Sequence, residues 1–215
     1  MDQQVQTDAL RNVMQAVLQG DIEGARQAAK SAIASGLAAQ TILNDALTPS
    51  MSVVGDEYES GERYVPEMLV SAEAMKSALS ELRPLLAQEG VQPRGVIVIG
   101  TVEGDLHDIG KDLVAMMFQG AGFEVINLGI DVPAGDFVQA VSDHKPDILA
   151  VSALLTTTMI RIPRVILALQ EAGLRDSVKI MIGGAPVTAD YASEVGADGY
   201  APDAVSAARE ALGLL

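Results

Sequence analysis

Cysteine is absent from this chain of 215 residues, and histidine occurs only twice, as His107 and His144. The lack of cysteine excludes disulfide bonds, thiolate zinc sites, iron–sulfur clusters and cysteine nucleophiles. Tryptophan is also absent, and aromatic residues make up only 3% of the chain. The core must therefore be built from Ala, Val, Ile, Leu and Met. A large flat surface inside the protein would have to be supplied by a bound group, so the composition is compatible with a bound ring system.

Basic residues are scarce, since 14 Lys and Arg stand against 29 Asp and Glu, for a formal net charge of −15. This balance argues against a nucleic-acid partner, because such affinity depends on clustered Lys and Arg that neutralise phosphates. The sequence contains neither a basic region followed by an apolar stretch at its start nor an apolar run near the roughly 20 residues of a membrane span. With 49% hydrophobic and 20% charged residues, we expect a globular, cytoplasmic protein without a membrane partner.

The first part of the chain, from about Asp8 to Gln88, carries apolar residues at helical spacing with few turn signals. Asp21 is a good N-cap for a second helix, and Pro66 fits the first turn of a last one. The pattern predicts about four helices, the size of a small bundle. By itself it is equally consistent with a helical oligomerisation or docking module.

The second part changes period after a polar segment around Gly90 that contains Gly and Pro. Short runs rich in Val and Ile alternate with stretches of helix length, and they begin at Val96, Glu124, Ile148 and Lys179, with a weaker fifth strand near Gly199. This alternation is typical of a parallel sheet covered on both faces. We therefore predict an α/β fold, with an N-terminal four-helix bundle over residues 1–90 and a Rossmann-like, flavodoxin-like domain over residues 91–215.

The most informative stretch is the loop that follows the first predicted strand, because ligands of parallel sheets bind outside the carboxyl ends of the strands. There His107 stands alone between Asp105 and Asp108. A phosphate-binding loop is excluded, since Asp105 occupies the position of its first Gly and Asp112 that of its hydroxyl residue. A dinucleotide fingerprint is also absent, and one His beside carboxylates is not a recognised tetrahedral zinc set. Taken alone, a loop His is more often a hydrogen-bonding or capping residue than a metal ligand.

Three motifs in chain order favour the metal ligand instead. The run Asp105-Leu106-His107-Asp108-Ile109-Gly110 resembles the D-x-H-x-x-G motif of cobalamin-binding domains, as in methionine synthase and the corrinoid proteins of methyltransferase systems. Ser152-Ala153-Leu154 is similar to the family's S-x-L, and Gly183-Gly184 follows the fourth predicted strand. Each stands at a carboxyl end of a strand, and together they are far more specific than any one. The helical half also resembles the family's cap over residues 53–58 and 61–69.

In that family the cofactor binds base-off and His-on, with a protein imidazole on the cobalt. The resemblance implies that His107 is the metal ligand, that Asp105 orients it, and that Thr158, where the family has Ser, is the third member of the relay. It also implies a set of cofactor contacts in the α/β domain and the cap. Besides Asp105 and His107 these are Gly104, Leu106, Asp108, Ile109, Gly110, Ser152, Leu154, Thr156, Gly183 and Gly184, with Asn44, Tyr58, Val65 and Met68 in the cap.

The implied function is that of a methyl carrier and not of a complete enzyme. A substrate-specific methyltransferase would load the cobalt, as in O-demethylase, methanol or methylamine systems, and a second methyltransferase would pass the methyl group to tetrahydrofolate or a thiol. A corrinoid reductive activator is the third implied partner. A cobalamin-dependent sensor or binding module is the alternative, although the acidic composition and the lack of a DNA-binding segment count against it. A cofactor-free flavodoxin-like scaffold would leave the three motifs unexplained.

Overall fold

A computed structural model describes residues 3–215, with side chains from Val5 onward. The chain divides into two compact units. The first unit comprises the residues up to Pro93 together with Gln119–Gly122, and the second comprises Arg94–Phe118 together with Phe123–Leu215. No helix within the described residues is both long enough and apolar enough to cross a membrane.

The first unit is helical. Its elements are α1 (Gln3–Leu18), α2 (Ile22–Ala34), α3 (Ala39–Ile42), a π-helical turn (Leu43–Leu47), α4 (Thr48–Ser60) and α5 (Val65–Gln88). Because α3, the π-helical turn and α4 follow one another without a break, the unit has four helical segments, as predicted. Asp21 is confirmed as the N-cap of α2, where its Oδ1 accepts from the Gly24 N–H at 2.9 Å. Small buried residues, Ala25, Ala29 and Ala32, allow α2 to pack against α1 and α5.

The second unit alternates strands and helices. Its elements are β1 (Val96–Thr101), α6 (Ile109–Gly120), β2 (Glu124–Asn127), α7 (Ala134–His144), β3 (Ile148–Ser152), α8 (Thr156–Met159), α9 (Ile162–Glu171), a 3₁₀ turn (Arg175–Ser177), β4 (Lys179–Gly183), α10 (Ala189–Val195), β5 (Gly199–Tyr200) and α11 (Ala204–Leu214). All strand pairs are parallel, in the order β2-β1-β3-β4-β5. This is the flavodoxin-like order, and the predicted fold class is confirmed.

The strand order reverses between β1 and β3, which places the functional edge of the sheet. The chain first adds β2 on one side of β1 and then returns to add β3 on the other. Loops leave such a switch point in opposite directions and open a crevice there. Residues at the centre of β1, β3 and β4, such as Val98, Leu149 and Ile180, are fully buried because helices cover both faces of the sheet.

Candidate functional site

The ends of β1 and β3 bring two loops side by side. Thr101 is the register partner of Ser152, so the chain leaves both strands at the same level of the sheet. After β1 the backbone turns sharply at Gly104, whose φ of +82° favours glycine. The Gly104 N–H donates to Asp131 Oδ1 at 2.6 Å, which ties this turn to the loop after β2. The turn directs the next residue, Asp105, into the interior.

The Asp105 carboxylate is fully buried and accepts four hydrogen bonds. Its Oδ1 accepts from the His107 Nδ1 at 2.6 Å and from the His107 backbone N–H at 3.1 Å. Its Oδ2 accepts from the Leu154 N–H at 2.7 Å and from the Thr158 Oγ1 at 2.6 Å. These four bonds occupy the four acceptor positions of a carboxylate. The structure thus brings together Asp105, His107 and Thr158.

The environment of Asp105 keeps the carboxyl group ionised. Burial raises its pKa, but the hydrogen bonds from Thr158, from the Leu154 N–H and from His107 outweigh that effect, so the pKa lies below its ordinary value. An ionised carboxylate can only accept hydrogen bonds. The proton shared with His107 therefore belongs to Nδ1.

The His107 imidazole is held at one nitrogen and open at the other. With the proton on Nδ1, a neutral imidazole has its lone pair on Nε2. The side chain is 49% exposed although its Asp105 partner is fully buried. A carboxylate that fixes the tautomer and orientation of an imidazole is the usual support of a His that binds a metal. The arrangement can present one nitrogen donor to a metal.

Thr158 lies in α8 and is buried. Its Oγ1 donates to Asp105 and accepts from the Leu155 N–H at 3.3 Å. The hydroxyl group that the family resemblance predicts is thus in contact with the Asp105 carboxylate, although this chain has Thr where the family has Ser. Only the additional methyl group distinguishes the two.

Exposed apolar side chains lie next to His107 in the chain and in the neighbouring loops at this edge of the sheet. Leu106 and Ile109 are 67% and 73% exposed, on either side of it in the chain. Further exposed apolar residues lie in the segments that follow β2 and β3, namely Ile130, Leu154, Leu155 and Ile160. Large apolar groups beside a single exposed imidazole fit a flat, largely apolar ring that brings a metal. The side chains present are therefore consistent with the implied corrinoid.

The other predicted contacts in this unit lie on the same edge of the sheet. Ser152 ends β3 and is half-buried, and Thr156 begins α8 and is exposed. Asp108 and Gly110 are exposed beside His107, and a Cβ at Gly110 would meet no atom within 4 Å. These positions are open to a ligand.

Gly183 is the last residue of β4 and Gly184 follows it, and a side chain would meet different surroundings at the two positions. At Gly184 a Cβ would lie 1.9 Å from the Ala153 carbonyl oxygen, and φ is +123°. The glycine is therefore required by the protein's own backbone, whatever else binds there. At Gly183 the nearest atom would be the Ala201 oxygen at 3.4 Å, an ordinary contact.

The predicted cap residues lie in the helical unit. Asn44 is exposed in the π-helical turn, a type of turn found frequently at functional sites. Tyr58 is half-buried in α4, and Val65 is exposed at the start of α5. Met68 is buried. Their contact with a cofactor stays a prediction.

Sequence reasoning missed several residues that support the His107 loop. Thr101 donates from its Oγ1 to the His107 carbonyl oxygen at 3.0 Å. Asp131 holds the turn at Gly104, and its own φ is +54°, in the left-handed region. Asn127 and Lys111 form a further cluster. Thr101 and Asn127 are the last residues of β1 and β2, so a search for polar residues at the carboxyl ends of the strands would have found them.

Within residues 3–215, no group of three or more His, Asp or Glu side chains is placed to hold a metal ion.

The comparisons with known proteins agree with the motifs. The B12 binding domain family matches the chain twice, over residues 95–209 and over residues 9–83.

Relatives and solved structures match most of the chain. Trimethylamine corrinoid protein 1 of Methanosarcina acetivorans is 44% identical over 176 residues, which are 80% of this chain and 82% of that protein. A cobalamin-binding protein from Desulfitobacterium hafniense DCB-2 is similar in structure, with a TM-score of 0.78, 32% identity and coverage of 96% of this chain and 98% of that one. The methanol:cobalamin methyltransferase complex from Methanosarcina barkeri gives a TM-score of 0.85, with 30% identity and coverage of 96% and 79%.

Proposed function

This chain belongs to the B12-binding corrinoid proteins, and we propose that it is a methyl carrier of a multicomponent methyltransferase system. The bound corrinoid supplies a cobalt centre that can accept and give up a methyl group. The observation that carries the proposal is the buried Asp105 carboxylate, which holds the exposed His107 imidazole by Nδ1 at 2.6 Å. The similarity to trimethylamine corrinoid protein 1 and to the methanol:cobalamin methyltransferase complex supports it.

We propose that His107 binds the cobalt through Nε2, in the base-off, His-on mode. A single imidazole would suit a metal that arrives with other ligands of its own. Asp105 fixes the tautomer that leaves Nε2 free, and Thr158 donates to the same carboxylate. The chain's own contribution is thus to hold one nitrogen donor in place with its lone pair directed outward.

The remaining predicted residues bind the cofactor around this ligand. Leu106, Ile109 and Leu154 offer apolar surface to the ring. Gly104, Asp108, Gly110, Ser152, Thr156, Gly183 and Gly184 contact the ring or the displaced tail. We propose that residues 1–90 act as the cap, in which Asn44, Tyr58, Val65 and Met68 exclude water from the reactive face, and that residues 91–215 bind the cofactor.

The methyl donor and the final acceptor are selected by the partner enzymes. The relatives' names point to methylamines and methanol as donors, and an aryl methyl ether of an O-demethylase system is a further candidate. The acceptor is tetrahydrofolate or a thiol, reached through a second methyltransferase. A reductive activator returns the oxidised corrinoid to its active state.

The test is reconstitution with cobalamin, followed by gel filtration and electron paramagnetic resonance of the cobalt(II) state. The wild type should retain about one corrinoid per chain, and an axial nitrogen should split its signal. His107→Gly should keep corrinoid but lose the splitting, because the cleft remains while the donor is gone. Asp105→Asn should be milder, with an effect on the order of 10–100-fold on the ligated population.

His144→Ala is the matched control, since His144 ends α7 on the exposed surface and is the other histidine of the chain. It should leave the splitting unchanged. Complete separation of cobalt from the wild-type protein would contradict the carrier function. Splitting that survives in His107→Gly and vanishes in His144→Ala would assign the ligand to the other histidine.

A further inference from the structure

A cluster of three polar side chains lies just beyond the His107 loop, and in it Lys111 is buried, Asp112 is partly exposed and Asn127 is exposed. Lys111, in the first turn of α6, is only 4% exposed. Its Nζ donates to Asn127 Oδ1 at 2.9 Å and to Asp112 Oδ1. Asn127 also donates from its Nδ2 to Asp112 Oδ1 at 2.9 Å. The cluster joins the start of α6 to the end of β2.

The cluster is connected to His107 by hydrogen bonds that pass through the Gly129 backbone and through Thr101. Asn127 Oδ1 also accepts from the Gly129 N–H at 2.9 Å. The Gly129 carbonyl oxygen accepts from the Thr101 N–H at 3.0 Å, and Thr101 Oγ1 donates to the His107 carbonyl oxygen at 3.0 Å. Lys111 follows His107 by four residues in the chain. The segment between them is thus anchored to β1 and β2 at both ends.

The burial pattern shows why these anchors matter. Every residue from Leu106 to Gly110 is exposed, whereas Asp105 and Lys111, which flank this span, are buried. Packing against the core therefore contributes little to holding the span in place. A buried ammonium group costs free energy unless it is paired and hydrogen-bonded, and the Lys111 contacts provide both. Removing them would leave the span held only by the bonds to Asp105 and Thr101 and by the backbone of the first turn of α6.

We propose that Lys111 is a positioning residue for His107, which holds the exposed span from Leu106 to Gly110 so that the imidazole keeps its place when the cofactor binds. Asn127 takes part as the acceptor that joins Lys111 to the Gly129 and Thr101 backbone. Neither residue needs to touch the cofactor. The inference rests on the proposed role of His107 as the cobalt ligand.

The test compares Lys111→Met with Arg175→Met in the full-length protein loaded with cobalamin. Arg175 is the control because it also forms an ion pair, with Asp198 at 2.9 Å, at the opposite edge of the sheet, and its side chain is 19% exposed. Asp198 accepts from the Ile180 N–H near the amino end of β4. Both variants should unfold at lower temperature than the wild type. At equal corrinoid content, only Lys111→Met should reduce the nitrogen-split fraction of the cobalt(II) signal, relative to the unsplit fraction, by about tenfold.

Asn127 provides a second pair of variants, should Lys111→Met fail to fold. Asn127→Ala removes the acceptor shared by Lys111 and Gly129, so it should lower the split fraction as well. Asn127→Asp keeps an oxygen for both donors but turns a second carboxylate oxygen towards Asp112 Oδ1, so it should restore part of the split fraction. An equal loss of splitting in Arg175→Met, or unchanged splitting in Asn127→Ala and Lys111→Met, would overturn the positioning role alone. A wild-type protein that binds corrinoid without nitrogen splitting would instead overturn the ligand role of His107.

Discussion

At the scale of the single residue, Gly183 and Gly184 are neighbours at the end of β4, yet a side chain would meet different surroundings at the two positions. Both glycines belong to one of the motifs that resemble cobalamin-binding domains. A methyl group at Gly184 would overlap the Ala153 carbonyl oxygen, whereas at Gly183 it would make an ordinary contact. The structure therefore gives Gly184 a role in folding that is independent of any cofactor.

We expect Gly184→Ala to destabilise the protein even without corrinoid. The unfavourable φ of +123° costs about 1–3 kcal/mol for a residue with a Cβ, and the overlap with Ala153 adds to this. Gly183→Ala should change the free energy of unfolding by less than about 1 kcal/mol, since no positive φ opposes it. Urea denaturation of the cofactor-free proteins measures both values. Similar losses in the two variants would contradict the backbone explanation.

At the scale of the elements, Arg63 joins three helices of the first unit. It lies in the turn between α4 and α5 and donates to Glu57 Oε2 in α4, to Ser71 Oγ in α5 and to the Leu18 carbonyl oxygen at the end of α1. The distances are 2.8, 2.9 and 3.0 Å. Ser71 is fully buried, so its hydroxyl depends on partners within the protein.

We expect Arg63→Met to lower the free energy of unfolding by roughly 2–3 kcal/mol, because it leaves buried polar groups without this donor. The control is Arg11→Met. Arg11 pairs with Asp8 at 3.0 Å, but its side chain is 57% exposed, compared with 15% for Arg63. Exposed pairs contribute only about 0–1 kcal/mol. Thermal and urea unfolding of both variants test the difference, and a loss in Arg11→Met as large as in Arg63→Met would speak against the three-helix role.

At the scale of the whole molecule, the dominant feature is the net charge of −15. Like charges repel one another and destabilise the compact state, and salt screens that repulsion. The Debye length shrinks from about 30 Å at 0.01 M to about 10 Å at 0.1 M ionic strength. Most ion pairs among the described residues include an exposed partner, so their loss on screening is small.

We therefore expect the free energy of unfolding of the cofactor-free protein to rise by about 1 kcal/mol between 0.01 M and 0.1 M sodium chloride at pH 7. The unfolding midpoint should rise by a few degrees as a result. Differential scanning calorimetry at several salt concentrations gives the slope. A midpoint that falls with added salt would mean that attraction between opposite charges outweighs the repulsion.

The local sequence determined the secondary-structure elements of this protein and the motif that contains its candidate ligand. Helical spacing before Gly90 and alternating Val- and Ile-rich runs after it predicted the two kinds of architecture, because periodicity reports burial of one element at a time. Asp105 and His107 are two residues apart, so a turn is enough to bring them into contact. The motif that contains them could therefore be identified from the sequence. The Thr158 position was also identified, although only through the family resemblance.

The contacts that complete the site were decided by tertiary structure. Leu154 and Thr158 reach Asp105 from 49 and 53 residues away, because β3 lies beside β1 in the sheet. Likewise Lys111 meets Asn127 only because β2 occupies the other side of β1. Strand order and register depend on how distant segments pack together, and hydrophobic periodicity carries no information about which strands become neighbours. The sequence alone therefore determined the elements and the candidate ligand, whereas the arrangement of the strands decided which side chains hold that ligand in place.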